Sequence, residues 1–179
     1  MFLFVIFFTN LLQAIDFYSI IPFGIWMEVL FMKNKSLNLI NDINRAIIQI
    51  RGIYSAWSAE HGISYHEMLV IYTIREFGFC TQKQICDSYL LPRQTINNVI
   101  TGLRKKGVLV YSREHSIGRE KAFMLSEKGE EYVTPLLASL DAMESGALAQ
   151  FGSEKLSALT HLLLEYNKAL YKTMDETKE

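Results

Sequence analysis

Residues 81–107 read TQKQICDSYLLPRQTINNVITGLRKKG, a pattern that predicts two helices joined by a tight turn. Thr81 is suited to cap a short first helix over Gln82–Tyr89, because its side chain can accept a hydrogen bond from a free backbone N–H. Ile85 and Cys86 are expected to face inward from that helix. A short connection and a second helix follow, so the stretch predicts a helix-turn-helix.

The second of these helices combines an apolar stripe with an unusual polar face. Pro92 stands in its first turn, where proline is best tolerated, and Gly107 ends it. Its stripe consists of Ile96, Val99, Ile100 and Leu103. The positions outside the stripe include no acid; among them are Arg93, Gln94, Thr95, Asn97, Asn98, Thr101 and Arg104. Solvated helix surfaces favour better helix formers than Asn and Thr, whereas these side chains suit base edges: Asn and Gln pair with adenine, Arg with guanine, and the Thr methyl meets thymine.

The charge of the chain is concentrated around the same helix. Residues 81–121 have a net charge of +5, from three acids and eight bases: Lys83, Arg93, Arg104, Lys105, Lys106, Arg113, Arg119 and Lys121. The rest of the chain has a net charge of −6, which leaves −1 overall. A basic segment of this kind gains affinity for a duplex from counterion release, and this favours a nucleic-acid surface over an ordinary solvated one.

A β-hairpin is predicted directly after the second helix. The apolar runs 108–111 and 122–125 flank the polar stretch 112–121, in which Gly118 can provide the turn. Arg119 lies beside that glycine, so the tip of the hairpin is short and basic. We expect it to place a guanidinium in a minor groove, where the potential is most negative.

Helical periodicity continues on both sides of this region. Long amphipathic helices are predicted at about 35–60 and about 127–174, and Pro135 is expected to kink or loosen the helix that contains it. Ser64 and Ser126 are the candidate caps of the helices that they precede. The expected fold is mostly α with a small β-hairpin wing: a winged helix-turn-helix over about 64–126, flanked by N- and C-terminal dimerisation helices.

These motifs together resemble the winged helix-turn-helix of the multiple-antibiotic-resistance regulator (MarR) family. The residues that carry the resemblance are 81–86, 91–98 and 103–109, with the hairpin and helix start at 111–129, and the similarity covers about 32–174. The resemblance implies an obligate homodimer with intertwined terminal helices and a pseudo-palindromic DNA operator. It also implies a site for a small-molecule effector between the dimerisation helices and the DNA-binding region.

The expected function is a DNA-binding transcriptional regulator, a repressor released by a small molecule of unknown identity. The predicted base-reading residues are Arg93, Gln94, Thr95, Asn97 and Asn98. The predicted phosphate contacts are Lys83, Thr101, Arg104, Lys105 and Arg113, and Arg119 is the predicted minor-groove residue. The candidate effector pocket consists of Tyr54, Trp57, Tyr65 and Tyr72, although aromatics at helical spacing are more often plain core.

Two positions depart from the family's pattern. The wing often has an Asp two residues before its arginine, and here that position is Ile117, so the usual brace for Arg119 is missing. Leu90 stands in the turn where many helix-turn-helix units have glycine, which puts the geometry of the turn in question.

The first 32 residues differ from the rest of the chain. They include 24 hydrophobic residues, two acids and no Lys or Arg. No basic segment precedes the apolar run, as a secretory signal requires, and polar residues and Pro22 interrupt it. We expect residues 1–31 to be translated leader, because codons for 27–29 can contain the ribosome-binding sequence GGAGGU just upstream of Met32. A membrane anchor stays open as the alternative, and mass spectrometry of the native N-terminus distinguishes the two.

The cysteines and histidines are the remaining side chains with candidate chemical roles. Cys86 fits packing and Cys80 leaves redox sensing open, although its only nearby base is Lys83. His61, His66 and Glu67 match no strong zinc spacing, so no metal and no cofactor are expected. The sequence shows no phosphate loop, nucleophile elbow or other catalytic arrangement, so no enzyme is expected.

Composition limits the remaining classes of protein. A chain of 179 residues that is 50% hydrophobic, with 3 Pro and 10 Gly, is neither disordered nor a low-complexity linker. Two cysteines cannot form a disulfide scaffold, and a cytoplasmic protein is expected. The alternatives are a regulator tethered to a membrane by residues 1–32, a redox-sensing regulator that uses Cys80, and a dimeric binding module that has lost DNA binding. The acid-free helix argues against the last of these.

Overall fold

The structure is a computed structural model that describes residues 23–177, without the side chains of 23–31, 33 and 34. Its elements in chain order are α1 (Phe23–Glu60), α2 (Tyr65–Phe77), β1 (Cys80–Thr81), α3 (Gln82–Tyr89), α4 (Arg93–Lys105), β2 (Leu109–Ile117), β3 (Glu120–Leu125), α5 (Glu127–Phe151) and α6 (Ser153–Glu176). The chain divides into two units, Met1–Trp57 and Ser58–Glu179. The predicted fold class, mostly α with a small hairpin wing, is confirmed.

The predicted helix caps are present. Ser64 and Glu67 form a reciprocal capping box at the start of α2, and Thr81 forms the same arrangement with Gln84 at the start of α3. The Ser126 side chain accepts from the backbone N–H of Gly129 and so caps α5. Each cap satisfies a backbone donor that the first turn of a helix leaves free, which explains why these helices begin where the sequence predicts.

One apolar core joins the helix-turn-helix to the sheet. It contains residues from α2, α3, α4 and all three strands: Val70, Ile74, Cys80, Ile85, Cys86, Ile96, Ile100, Leu103, Val108, Leu109 and Phe123. Three of the four predicted stripe positions of α4 are fully buried there, and Val99 is partly buried against them. The core therefore fixes which face of α4 remains outside.

A three-stranded antiparallel sheet, in the order β1-β3-β2, forms the wing region. Cys80 pairs with Phe123, and Leu109 pairs with Leu125. The hairpin is longer than predicted, because β2 continues to Ile117 instead of ending near Tyr111. Its register shifts between Ser112 and Ile117. The apolar runs 108–111 and 122–125 predicted only the inner half of the hairpin.

The end of the sheet packs closely on the start of α5. A Cβ atom at Gly129 would lie 2.1 Å from the carbonyl oxygen of Val108, so only glycine fits this approach. The Ser126 hydroxyl donates to the carbonyl oxygen of Gly107 at 2.6 Å. The sheet and α5 are thus held in one arrangement by backbone contact as well as by apolar packing.

Two further differences concern the long helices. The helix predicted at about 35–60 begins at Phe23, because the sequence between Gly24 and Gly52 contains no glycine or proline that would end it. The α5 helix continues through Pro135 as one element. Of the predicted leader (1–31) or anchor (1–32), residues 1–22 lie outside the described part of the chain. None of the described helices has the length and apolar character needed to span a membrane.

Candidate nucleic-acid interface

Helix α4 presents its polar residues on one continuous outer face. At 100° per residue, this face spans an arc of about 140° and includes Arg93, Gln94, Asn97, Asn98, Thr101, Arg104 and Lys105, all exposed. Thr95 lies at its border and is half-buried. We call these eight residues the acid-free face. The structure thus brings seven of the eight predicted α4 contacts to the exposed side of the helix and places Thr95 between that side and the buried stripe.

The turn between α3 and α4 positions this face. Leu90 adopts a left-handed backbone conformation, with φ 52° and ψ 44°, and the N–H groups of Leu90 and Leu91 both bond to the carbonyl oxygen of Cys86. The Gln82 side chain donates to the carbonyl oxygen of Arg93 at 2.6 Å. The turn therefore has the geometry that glycine would favour, although the residue is leucine, and the first turn of α4 is tied to α3.

Two amides of the acid-free face hold each other in place. Nε2 of Gln94 donates to Oδ1 of Asn98 at 3.0 Å, one helical turn away. This bond restricts the rotamers of both side chains before any ligand is present. Asn97 and Thr101 stand one turn apart beside this pair. Such an array offers amide donors and acceptors at the spacing of a helix, which is the arrangement that major-groove readers use.

The basic residues differ in how they are held. Lys83 bonds Asp87 at 2.7 Å, and this hydrogen bond is the main cause that raises the pKa of Lys83. The guanidinium of Arg104 lies over the Phe123 ring at 5.5 Å. Among the residues that the structure describes, no carboxylate forms an ion pair with Arg93, Lys105 or the wing residues Arg113 and Arg119. Their positive charge therefore remains uncompensated at close range.

Lys106 belongs to the basic segment but has a structural partner. Its Nζ bonds Oε1 of Glu67 at 2.7 Å and so joins the end of α4 to the start of α2. Burial alone would raise the pKa of Glu67, but the hydrogen bonds from Lys106 and Ser64 outweigh it and lower that pKa. Glu67 lies three residues after the predicted cap Ser64, the spacing of a capping box, but no local signal predicts a partner 39 positions away.

The wing is tied to the helix-turn-helix by a second long-range contact. The hydroxyl of Thr81, the cap of α3, donates to Oε1 of Glu120 near the wing tip. At the tip, Gly118 has a φ of 59°, so the predicted turn residue is confirmed. Arg113 and Arg119 are both exposed on the wing. Their roles in DNA contact remain predictions.

The cysteines do not form a sensor site. Cys80 is fully buried, and burial raises the pKa of its thiol to about 12. Cys86 is nearly buried as well, and burial raises its thiol pKa. Because a redox-active thiol must be accessible and ionised, the alternative of sensing through Cys80 is wrong. Both cysteines belong to the apolar core.

The other candidate sites can also be located. His61 shares a hydrogen bond of 2.8 Å with the Ser139 hydroxyl, and residues 23–177 contain no cluster of side chains suited to a metal ion. Of the predicted pocket aromatics, Trp57 is buried, and Tyr54, Tyr65 and Tyr72 are half-buried. Tyr54 and Trp57 belong to the first unit of the chain and the other two to the second. The pocket itself remains a prediction.

Comparisons with known proteins agree with this geometry. No protein-family model matches the chain. It is 26% identical over 131 residues to YwoH, an HTH-type transcriptional regulator from Bacillus subtilis (strain 168), covering 73% of this chain and 95% of the relative. The structure of NMB1585, a MarR family regulator from Neisseria meningitidis, is similar with a TM-score of 0.71 and 25% identity, over 78% of this chain and 98% of the other. A structure of NadR in complex with 4-hydroxyphenylacetate has a TM-score of 0.60 and 21% identity, over 69% of this chain and 91% of the other.

Proposed function

We propose that the chain, a DNA-binding transcriptional regulator of the MarR winged-helix type, binds a pseudo-palindromic operator as a homodimer and is released from it by a small molecule. The observation that carries this proposal is the acid-free face of α4. An exposed helix surface with three cations, three amides and no carboxylate matches the charge and the hydrogen-bonding edges of a DNA major groove.

Within that face we assign two kinds of contact. Base edges are read by Arg93, Gln94, Thr95, Asn97 and Asn98, which occupy the first half of α4. Recognition helices of this class contact bases mainly through their N-terminal residues. Phosphates are held by Lys83, Thr101, Arg104, Lys105 and Arg113, and Arg119 enters a minor groove. Lys83 can make its phosphate contact only by sharing or leaving its ion pair with Asp87.

The homodimer is supported by the exposed apolar surface of the long helices. None of the 24 residues of α6 is buried, although the helix includes the exposed side chains of Leu156, Leu159, Leu162, Leu164, Leu170, Tyr171 and Met174. Helix α1 also exposes Leu37, Leu39, Ile40, Ile47, Ile48, Ile50 and Ile53. Apolar surface on this scale marks an association site, and a second copy of the chain would also supply the symmetry that a pseudo-palindrome requires.

The effector is proposed as a small molecule whose identity stays open. The similar NadR structure contains 4-hydroxyphenylacetate, which supports a small aromatic ligand in a protein of this fold. Tyr54, Trp57, Tyr65 and Tyr72 are the residues that we propose for its pocket, since aromatic rings provide stacking surface and the phenol groups provide hydrogen bonds.

Two substitutions on α4 test the assignment of contacts. Asn97→Ala should weaken binding to operator DNA by roughly 1–3 kcal/mol, with little change on random DNA, because it removes base contacts. Lys105→Ala should weaken binding to both and reduce the salt slope by about one, because it removes one phosphate contact. Fluorescence anisotropy with an operator duplex selected from a random pool, at several salt concentrations, measures both effects.

Lys168→Ala is the matched control, because Lys168 is an exposed lysine on α6 outside the proposed DNA surface and off the apolar stripe of that helix. It should leave the affinity and the salt slope unchanged. The assignment of base readers is wrong if Asn97→Ala weakens operator and random DNA equally. The proposed function fails if the protein binds no duplex even in dilute salt.

A further inference from the structure

The wing ends in an isoleucine that projects into solvent. Ile117 is the last residue of β2, and its exposed fraction of 82% is the highest among the large apolar side chains that the structure describes. It pairs with Glu120 across the turn formed by Gly118 and Arg119. The fold gains almost no buried area from this side chain, so its contribution to packing is small.

The turn keeps this isoleucine next to a cation. Gly118 has a positive φ of 59°, whereas Arg119 does not have a positive φ. This is the pattern of a type II′ turn, which favours glycine at its first central position and tightly joins two strands. Arg119 and Lys121 are both exposed beside it. The tip therefore presents one apolar side chain within a cationic surface.

Hydrogen bonds of both wing strands, β2 and β3, fix the direction of the tip. Glu120 accepts a hydrogen bond from Thr81 at the cap of α3, which ties the outer end of β3 to the helix-turn-helix. On β2, the Ser116 hydroxyl accepts from the N–H of Ala122 at 2.9 Å and donates to the carbonyl oxygen of Ser112 at 2.5 Å. These bonds replace ladder pairing where the register shifts. The Glu120 carboxylate thus bonds the Thr81 hydroxyl, and among the described residues it forms no ion pair with Arg119.

We propose that Ile117 is a specificity-determining residue that enters the DNA minor groove beside Arg119 and packs against sugars and base edges. The minor groove is the proposed binding partner of the tip because the charges are complementary: the groove has a strongly negative potential and the tip is cationic. Apolar side chains are used in the same way by other minor-groove proteins. Guanine places its 2-amino group in this groove. An isoleucine side chain cannot accept a hydrogen bond from that group, and the group occupies space that the isoleucine would fill. Ile117 therefore disfavours G·C pairs under the wing.

This inference rests on the proposed function, and it is tested with DNA that differs only in the minor groove. Inosine lacks the 2-amino group of guanine but keeps its major-groove edge. The probe is a duplex of about 30 base pairs that the wild-type protein selects from a random pool. Footprints of wild type and Arg119→Ala are compared first, and the base pairs that only wild type protects are those under the wing. Two duplexes are then prepared with G·C or I·C at these positions. Affinities for both duplexes are measured for wild type, Ile117→Ala, Arg119→Ala and the control Val110→Ala, an exposed apolar residue of β2 away from the tip.

Wild type and Val110→Ala should bind the I·C duplex about 5-fold or more tightly than the G·C duplex, the effect of one disfavoured base pair. Ile117→Ala should reduce this preference to less than about 2-fold and leave the salt slope unchanged, since no charge is removed. Arg119→Ala should lower the salt slope by about one. An undiminished preference in Ile117→Ala, or no footprint that depends on Arg119, overturns the inference while leaving the proposed function intact. Failure of wild type to bind any duplex overturns both.

Discussion

At the scale of single residues, Leu90 adopts a backbone conformation that is unfavourable for a residue with a side chain. It is the one non-glycine residue with a positive φ in the described part of the chain, and its side chain is 72% exposed. A left-handed conformation costs an L-residue about 1–2 kcal/mol, and an exposed leucine regains little of that through burial. The core around Ile85, Cys86 and Ile96 holds the turn in this conformation despite the cost.

Leu90→Gly should stabilise the protein by about 0.5–1 kcal/mol. Glycine removes the strain of the left-handed conformation, and the greater entropy of its unfolded chain cancels only part of the gain. Urea denaturation followed by circular dichroism measures the change. Leu90→Ala is the matched control, because it removes the same exposed side chain but keeps the Cβ atom that causes the strain, and it should give no gain. Equal stabilities of the glycine and alanine variants would contradict this account of the turn.

At the scale of elements, the ion pair between Glu67 and Lys106 joins α2 to the end of α4. Glu67 also completes the capping box of α2 through the backbone N–H of Ser64, at 2.8 Å. One carboxylate thus caps one helix and holds the end of another. The orientation of α4, and so of the acid-free face, therefore depends in part on Glu67, which is not a predicted DNA contact.

The stabilising effect of Glu67 should disappear in acid. Its pKa is lowered from the usual value of 4.5, so its contribution is complete above that value and is lost as the pH falls through the lowered pKa. Glu67→Gln keeps a cap acceptor but has no charge. At about pH 6 it should be less stable than wild type by about 0.5–1 kcal/mol, and the difference should shrink as the pH is lowered below 4.5 through the lowered pKa. Urea titrations at a series of pH values measure it.

A double-mutant cycle provides the control for this prediction. Lys106→Gln should cause a loss similar to that of Glu67→Gln at about pH 6, and the double variant should lose little more, because the two residues share one interaction. A difference between wild type and Glu67→Gln that persists in acid, where neither side chain is charged, would contradict the assignment of the stabilisation to the charge of Glu67.

Local signals in the sequence predicted the helix-turn-helix well, and the features that they did not predict depend on contacts between residues far apart in the sequence. The caps at Ser64, Thr81 and Ser126 could be predicted because each partner lies three residues away. The outer part of β2 could not be predicted, because it lies in the polar stretch and is held by the Ser116 bonds across a register shift. No local sequence pattern predicts the Glu67–Lys106 or the Thr81–Glu120 contact, because the two residues of each pair are 39 positions apart.

At the scale of the whole molecule, the exposed faces of the long helices are the part that the sequence predicted least directly. Periodicity placed Leu156, Leu159, Leu162 and Tyr166 on one stripe of α6, but it does not say what covers a stripe. None of the described residues of α6 is buried, and Leu162 remains 61% exposed. A second copy is the partner that we propose. Operator binding by two winged helix-turn-helix units then depends on this surface, although it contains none of the predicted DNA contacts.

Leu162→Glu should therefore separate association from DNA recognition. A carboxylate buried in an apolar interface without a partner costs several kcal/mol, so the dimer dissociation constant should rise by about 100-fold or more. Sedimentation velocity over a range of concentrations measures this shift, and circular dichroism checks that the helices remain. Lys168→Glu, a charge reversal at an exposed polar position of the same helix, is the control and should leave the dimer unchanged.

The same variant should lose operator affinity by about 100-fold or more while keeping its affinity for a single half-site. A dimer binds its second half-site as an intramolecular step, and that advantage of 10²–10⁴ disappears when the protomers separate. The salt slope on the half-site should stay the same, because the cations of α4 and the wing are untouched. A wild-type protein that sediments as a monomer, or a Leu162→Glu monomer that binds the full operator as tightly as wild type, would contradict the link between this helix face and DNA recognition.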